Sequence, residues 1–315
     1  MSGKKRNGIT ALILVIAVAA LIIIKFTRNE SSNFRKALPS FNEESVNNIK
    51  IKSPYFEPLA DLVKQGDDWF VNIDDKRFPA NGQKIKMILK ELNGSKVKSV
   101  VGTGKPSMSK YNTDDSLATT IELMKNGKTL ARYAVGRFDY IQDRHKMNNG
   151  RPGGEPITYV SLEDDKNVYS INSMLPLQIG REIDDFRDKT LIKTDKSAIE
   201  KINFTNAAGD SFELEKIDGK WMLGNMEADS AKMDIYLRKL SKISGAEFGH
   251  EVAKGAKPSS SITIYQSGNQ PITVNLFAVD SVSNIVGSSQ YPDSFFNDKN
   301  NNIAKKLFVN EDELL

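Results

Sequence analysis

Two hydrophobic patterns divide the chain. From Ile9 to Ile24 every residue except Thr10 is apolar. From about Ile49 onward, apolar residues instead alternate with polar ones in short runs separated by turn residues, and two stretches follow helical spacing. The first pattern predicts a membrane span and the second a water-facing, sheet-rich body.

Sixteen residues rising about 1.5 Å each make roughly 24 Å, short of the ~30 Å hydrocarbon core of a bilayer. Including Gly8, and letting Lys25 snorkel past Phe26, lengthens the helix to about 28 Å, enough with slight local thinning. The competing reading is a cleaved signal peptide, because Ala17-Val18-Ala19 has the small-x-small form of a cleavage site. Leu21 to Ile24 follow that site, so cleavage would leave an apolar new terminus. The run is also longer than the ~7–15 apolar residues of a signal. An uncleaved anchor is therefore expected over Gly8 to Phe26. Basic residues flank it on both sides: Lys4, Lys5 and Arg6 before it, and Lys25, Arg28, Arg35 and Lys36 after it. The tighter N-terminal cluster predicts a cytoplasmic tail and a body outside, in the inner membrane.

The body reads as one pattern written twice. Ile49-Lys50-Ile51 alternates as a strand, and Leu59 to Val71 reads as two strands turning at Gly66-Asp67 and ending on Trp69-Phe70-Val71. Pro79-Ala80-Asn81 then leads into Lys84 to Leu92. In the second half, Ile199, Ile202 and Phe204 open a strand, and Phe212-Glu213-Leu214 turns at Asp218-Gly219 into Trp221-Met222-Leu223. Ala228-Asp229 then leads into Lys232 to Leu240. Ile85, Ile88, Leu89 and Leu92, like Met233, Tyr236, Leu237 and Leu240, recur at i, i+3, i+4, i+7 and form one apolar stripe. Asn81 and Asp229 are of the N-cap type.

Strands return in both halves. Leu117–Met124 and Thr129–Val135 flank Asn126-Gly127, a hairpin signal because both residues tolerate positive φ. Ser261–Tyr265 and Ile272–Phe277 flank Gly268, Ile157–Leu162 and Val168–Ile171 flank Asp164-Asp165, and Asn172 to Lys189 reads as short helical turns broken at Gly180. The expected fold class is α+β: a single N-terminal transmembrane helix, then two tandem, similar α+β domains of antiparallel hairpins with one main helix packed on each sheet. The expected boundaries are 1–27 for tail and anchor, 28–45 for a stalk, 46–190 for the first domain and 191–315 for the second.

Composition narrows the chemistry. The chain has 315 residues, no Cys, and only His145 and His250 as histidines. That excludes a disulfide scaffold, a thiolate nucleophile and a cysteine-ligated metal or cluster. From Lys25 onward there are 41 basic and 40 acidic residues. That balance lacks the concentrated positive field that nucleic acid demands, and no nucleic-acid partner is expected.

Gly-x-Trp-like hairpin text, then Ala/Pro-Asn/Asp and a Leu-rich helix, then Ile183-Asp184-Asp185-Phe186-Arg187-Asp188-Lys189-Thr190-Leu191, and then the first pattern again, form an ordered set. In this the chain resembles the bacterial membrane-anchored family known as domain of unknown function 4340, over almost everything after the anchor. The resemblance implies an envelope protein, in some relatives associated with uncharacterised transporter machinery of the ATP-binding-cassette auxiliary type found in gliding bacteria. It carries no catalytic residues to transfer. The segment Gly136 to Pro156 departs from the family's usual pattern.

Few motifs suggest a reaction. Gly102-Thr103-Gly104-Lys105-Pro106-Ser107 resembles a phosphate loop, but position 99 is Ser where Walker spacing needs Gly, and Pro106 replaces the magnesium-binding hydroxyl. A turn after the strand Lys96–Val101 is expected there. Asp67-Asp68, Asp74-Asp75, Asp114-Asp115 and Asp164-Asp165 adjoin predicted turns, where Asp bonds its own backbone. Trp69 and Trp221, at matching places, read as core residues. The segment Arg137 to Pro156 reads as a loop of about twenty residues, longer than hairpin loops usually are. Within it Arg137, Phe138, Tyr140, Arg144, His145 and Arg151 combine cations with aromatics, the mixture of a protein-binding surface or an anion site; a solvated loop is the alternative. No catalytic residue, metal or cofactor is expected. The leading reading is a membrane-anchored interaction or accessory module with a protein partner in the envelope. An anchored hydrolase of envelope polymers and a structural spacer stand as alternatives.

Overall fold

The computed structural model describes residues 34–148, 151–206, 210–281 and 283–315. The expected anchor, Gly8 to Phe26, lies outside the described residues. Among the described residues no helix is long and apolar enough to cross a membrane.

The protein consists mostly of two large antiparallel sheets with few helices. The first half supplies β1 (Asn48–Ser53), β2 (Phe56–Gln65), β3 (Asp68–Ile73), β4 (Lys76–Pro79), helix α1 (Gly82–Leu92), β5 (Val97–Thr103), helix α2 (Lys105–Lys110), β6 (Thr119–Lys125), β7 (Lys128–Asn148), β8 (Arg151–Leu162), β9 (Asn167–Ile171) and helix α3 (Leu175–Ile179). The second supplies β10 (Thr190–Lys193), β11 (Ile199–Thr205), β12 (Ser211–Ile217), β13 (Lys220–Leu223), β14 (Met226–Glu227), helix α4 (Ser230–Leu240), β15 (Lys242–Ser244), β16 (Glu247–Phe248), β17 (Ser260–Gln266), β18 (Ile272–Ala278), β19 (Ser283–Ser288), β20 (Tyr291–Lys299) and helix α5 (Ala304–Leu307).

The first nine-stranded sheet runs β4-β3-β2-β1-β6-β7-β8-β9-β5, and the second β14-β13-β12-β11-β17-β18-β19-β20-β16. Strand for strand the two orders are the same. Trp69 lies on β3 and Trp221 on β13, the third strand of each series. The chain divides into two compact units. One holds the described residues up to Leu59 with Gln83–Arg181, and the other holds Ala60–Gly82 with Glu182–Leu315.

In the first unit Ile49 and Ile51 of β1 and Ile121 and Leu123 of β6 are fully buried, as are Ile85 and Leu92 of α1. The register sets Ile49 against Leu123 and Ile51 against Ile121, so period-2 alternation sends all four to one face. In the second unit Met233, Tyr236, Leu237 and Leu240 of α4 share one core cluster with Ile202, Phe204, Ile262 and Val274 of the strands. Each such side chain stabilises the fold by roughly 1.5–3 kcal/mol through burial. Asp229 caps α4, accepting from the Ala231 and Lys232 amides at 2.9 and 2.8 Å. The Tyr236 hydroxyl donates to the Leu307 carbonyl at 2.7 Å, and burial pushes its pKa well up.

The second unit also holds a buried cation. Arg187, 9% exposed, lies between the rings of Phe78 on β4 and Phe248 on β16, its guanidinium 3.8 and 3.7 Å from their centroids. Asp184 pairs with it at 3.1 Å, and the Asp293 carbonyl and Ser294 hydroxyl accept from it at 3.4 Å. Burial pulls its pKa down, opposed by Asp184. Main-chain bonds from Asn81 to Phe186 and from Asp188 to Pro79, both 2.8 Å, fasten the same stretch beside β4. Gly245 is required nearby, because a Cβ there would run into the Phe296 ring, which stacks on Phe248 at 4.9 Å.

Lysine at position 187 keeps the charge but loses the flat face that fills the gap between two rings. Arg187→Lys should therefore destabilise the protein by about 2 kcal/mol or more, the range of a desolvated cation–π contact. Chemical denaturation measures this; a loss within 0.5 kcal/mol, typical of a surface change, would show that the stacking contributes little.

Candidate functional site

The segment expected as a loop is a ribbon of paired strands. β7 and β8 continue past the sheet, pairing Phe138 with Thr158, Asp139 with Ile157, Tyr140 with Pro156, Gln142 with Gly154, and Asn148 with Arg151. Register shifts fall between Val135 and Phe138 and between Asp143 and Met147. Gly153, Gly154, Pro152 and Pro156 signal a loop in sequence, yet a ribbon whose outer edges pair with no other strand among the described residues tolerates a proline wherever its nitrogen faces outward. β6 pairs with β7 only as far as Val135, and β9 pairs with β8 only from Thr158. Tyr140 covers Gly154 so closely that a Cβ at 154 would strike its ring.

The six residues singled out in sequence part company here. Arg137 is fixed at the ribbon's base, its guanidinium 5.3 Å from the Tyr111 ring and 5.4 Å from that of Tyr159, and 3.1 Å from Asp139. Asp139 also accepts from the Tyr159 hydroxyl at 2.9 Å, which helps burial raise the pKa of that tyrosine. Gly136 lets the ribbon leave the sheet, because a Cβ there would meet the Tyr111 carbonyl. Phe138 is half-buried, whereas Tyr140 and its neighbour Ile141 are 55% and 52% exposed. Arg144 and His145 lie on β7 and Arg151 on β8, and only their backbone is described.

The first unit also carries a cleft that the sequence reading missed. It has a volume of about 570 Å³ and lies on the face of the sheet opposite Ile49 and Ile51. Lys50 and Lys52 of β1, Glu122 of β6 and Arg132 of β7 form its floor; α2 and the turn after it form a wall through Lys105 and Met108. Lys50 stands opposite Glu122, and Glu122 opposite Arg132, in one row across three strands.

Arg132 holds two carboxylates, Glu122 at 2.9 Å and Glu163 on its other side. The Thr129 hydroxyl donates to Glu122 at 2.6 Å, and that bond, with Arg132 behind it, holds the Glu122 carboxyl below its usual range. Glu122 in turn raises the pKa of Arg132. Asp114 is lowered by the hydroxyls of Ser109 and Ser116, the latter at 2.8 Å. Ser161, buried in the wall, donates to Thr113 at 2.9 Å, so its hydroxyl is engaged and has no base beside it.

The other sequence candidates are settled locally. Gly104 has φ of 78° between β5 and α2, and Pro106 falls in the first turn of that short helix, where a missing N–H costs nothing. A short helix thus follows where only a turn was expected. Asp74 has φ of 50° in the turn between β3 and β4, and Asp165 accepts from the Asn167 amide at 3.0 Å. Trp221 packs, half-buried, against the second core. Among the described residues no group of three or more Asp, Glu or His side chains is placed to hold a metal ion.

Two sheets of one strand order, each with an eleven-residue amphipathic helix after its fourth strand in the chain, define a tandem-repeat, sheet-rich protein. The family model described as "Domain of unknown function (DUF4340)" matches residues 69–261, more than half of the chain, and the chain belongs to that family. No curated protein and no solved structure matches it.

The Glu122 cluster predicts a pH signature. A carboxyl whose folded pKa is depressed stabilises the fold above its unfolded pKa and loses that contribution as pH falls through the folded value. Glu122→Gln should therefore lower the Tm at pH 7, and the gap from wild type should narrow at pH 3. Thermal scans at the two pH values check this; an equal gap at both would mean that the charge on Glu122 contributes nothing.

Proposed function

We propose that the protein is a membrane-anchored, extracytoplasmic interaction module, an accessory component of a transporter or envelope assembly, with no reaction of its own. The apolar run from Gly8 to Phe26 supports the anchor, and the basic cluster at Lys4, Lys5 and Arg6 supports an inner-membrane, N-terminus-in orientation. The same reading takes each unit as α+β, with α1 and α4 packing their buried stripes on a sheet; the buried Leu89 and Leu237 support it.

The observation that carries the interaction role is the ribbon. It presents Tyr140 and Ile141 to solvent on strands whose outer edges pair with no other strand among the described residues, and unpaired edges are templates for another chain. Tyrosine is among the residues enriched at binding hot spots.

Replacing Ile141 to Glu155 with Asn-Gly removes the ribbon's outer part and spares the Arg137–Asp139–Tyr159 base. The shortened full-length protein should keep its unfolding midpoint while losing the envelope protein that cross-links to the wild type in membranes. Recovery of the same partner by the shortened chain would place the contact elsewhere.

Topology has its own test. A cysteine introduced at exposed Ser197, in a chain otherwise free of thiols, should react with a membrane-impermeant reagent in intact spheroplasts. Labelling only after lysis would reverse the orientation.

A further inference from the structure

We infer that the cleft on the open face of the first unit's sheet binds a small organic anion, a phosphate or carboxylate joined to a compact apolar group. This stands independently of the ribbon's role. At about 570 Å³ the cleft falls within the ~300–1,000 Å³ range of small-molecule sites.

The charges lining it are unequally engaged. Glu122 and Glu163 are held by Arg132, and Asp114 accepts from the Ser116 hydroxyl and the Leu117 amide. The two glutamates are thus oriented toward Arg132, whereas Asp114 keeps its charge under bonds from neutral donors. Lys52 and Lys105 line the same cleft, are exposed, and form no ion pair among the described residues. Lys50 faces Glu122, whose carboxylate is already shared by Thr129 and Arg132. Among the lining side chains that form no ion pair in the described residues, Lys50, Lys52 and Lys105 face Asp114 and Asp115, so the unpaired cations outnumber the unpaired acids by one.

The corresponding face of the second sheet shows how such a lysine is otherwise used. Lys201 on β11, the counterpart of β1, pairs with Glu213 at 2.8 Å. No such acid meets Lys52.

The apolar half of the ligand follows from the rest of the lining. Leu59, 44% exposed, lies in the cleft with Met108 and Leu162. A compact hydrocarbon or ring would cover these side chains while its anionic end met the lysines, combining apolar burial with charge.

Isothermal titration of the purified full-length chain tests this with three probes: phenyl phosphate, inorganic phosphate and benzylamine. Phenyl phosphate should bind, inorganic phosphate at least tenfold more weakly for want of the ring, and benzylamine not measurably. The double variant Lys52→Gln/Lys105→Gln should weaken phenyl phosphate at least tenfold with an unchanged Tm, while Lys201→Gln leaves it unaltered. If the double Gln variant unfolds, Lys52→Arg/Lys105→Arg, which keeps both charges, should retain binding. Equal affinity for benzylamine, wild-type affinity in the double Gln variant, or loss of binding in a folded double Arg variant would overturn the inference. So would attachment to anionic lipid vesicles with no affinity for phenyl phosphate, which would make the surface a membrane contact.

Discussion

The second unit is organised around a charge that cannot be neutralised. Arginine stays protonated, so burying Arg187 demands compensation, which reaches both terminal nitrogens and the plane of the guanidinium but leaves Nε without a partner. Two aromatic faces cover its plane, Asp184 meets one edge, and the Ser294 hydroxyl and Asp293 carbonyl meet another. Each partner constrains others in turn. Phe248 can stack on Arg187 only because Phe296 backs it, and Phe296 fits only because position 245 has no Cβ. Phe78 is held at its station because the neighbouring Pro79, Ala80 and Asn81 bond to 186–188. One residue of the Ile183–Leu191 segment thus fixes where β4, β16 and β20 meet in that unit.

The repeated strand order makes the departures between the two halves informative. Both series have a helix after the fourth strand and, beyond it, a strand that takes the far edge of the sheet. Two differences bear on the cleft and the ribbon. Between β5 and β6 stand α2 and its turn, whereas no helix stands between β16 and β17. The β7–β8 hairpin grows into a ribbon, whereas β18 ends at Ala278 and β19 begins at Ser283. The cleft wall and the ribbon base both use the 104–118 stretch: Met108 lines the cleft and Tyr111 receives Arg137. The additions to the first copy are therefore coupled through one segment.

Sequence pattern revealed what is local. The apolar stripes of both helices were readable from residue spacing, and the structure starts each helix two residues earlier because Gly82-Gln83 and Ser230-Ala231 carry no apolar signal. The hairpins at Asn126-Gly127 and Gly268 were readable because positive φ selects those residues, and both glycines adopt it. The ribbon was not readable, because glycine and proline report local permissiveness and cannot report that a strand has no outer neighbour. β14 and β16, two residues each, are too short to show a period. Nor could spacing find the cleft. Glu122 and Arg132 share one hairpin, but Lys50 and the residues of the wall lie outside it in the chain, and Lys50, Glu122 and Arg132 each read alone as the polar half of an alternating strand.

Register is what turns those three polar residues into a site. An alternating strand requires only that its outward side chains tolerate water; it does not prescribe their charges. A row of Lys50, Glu122 and Arg132 satisfies one acid with two bases, and Glu163 beyond the row takes the other edge of Arg132. Such a chain holds Arg132 in one orientation, because its planar fork is engaged on both sides. The lysines of β1 receive no comparable fixing and keep their side-chain freedom. The cleft therefore combines a row of side chains that hold one another through Arg132 with two lysines, Lys52 and Lys105, that form no ion pair among the described residues, and these are the groups an incoming anion would meet.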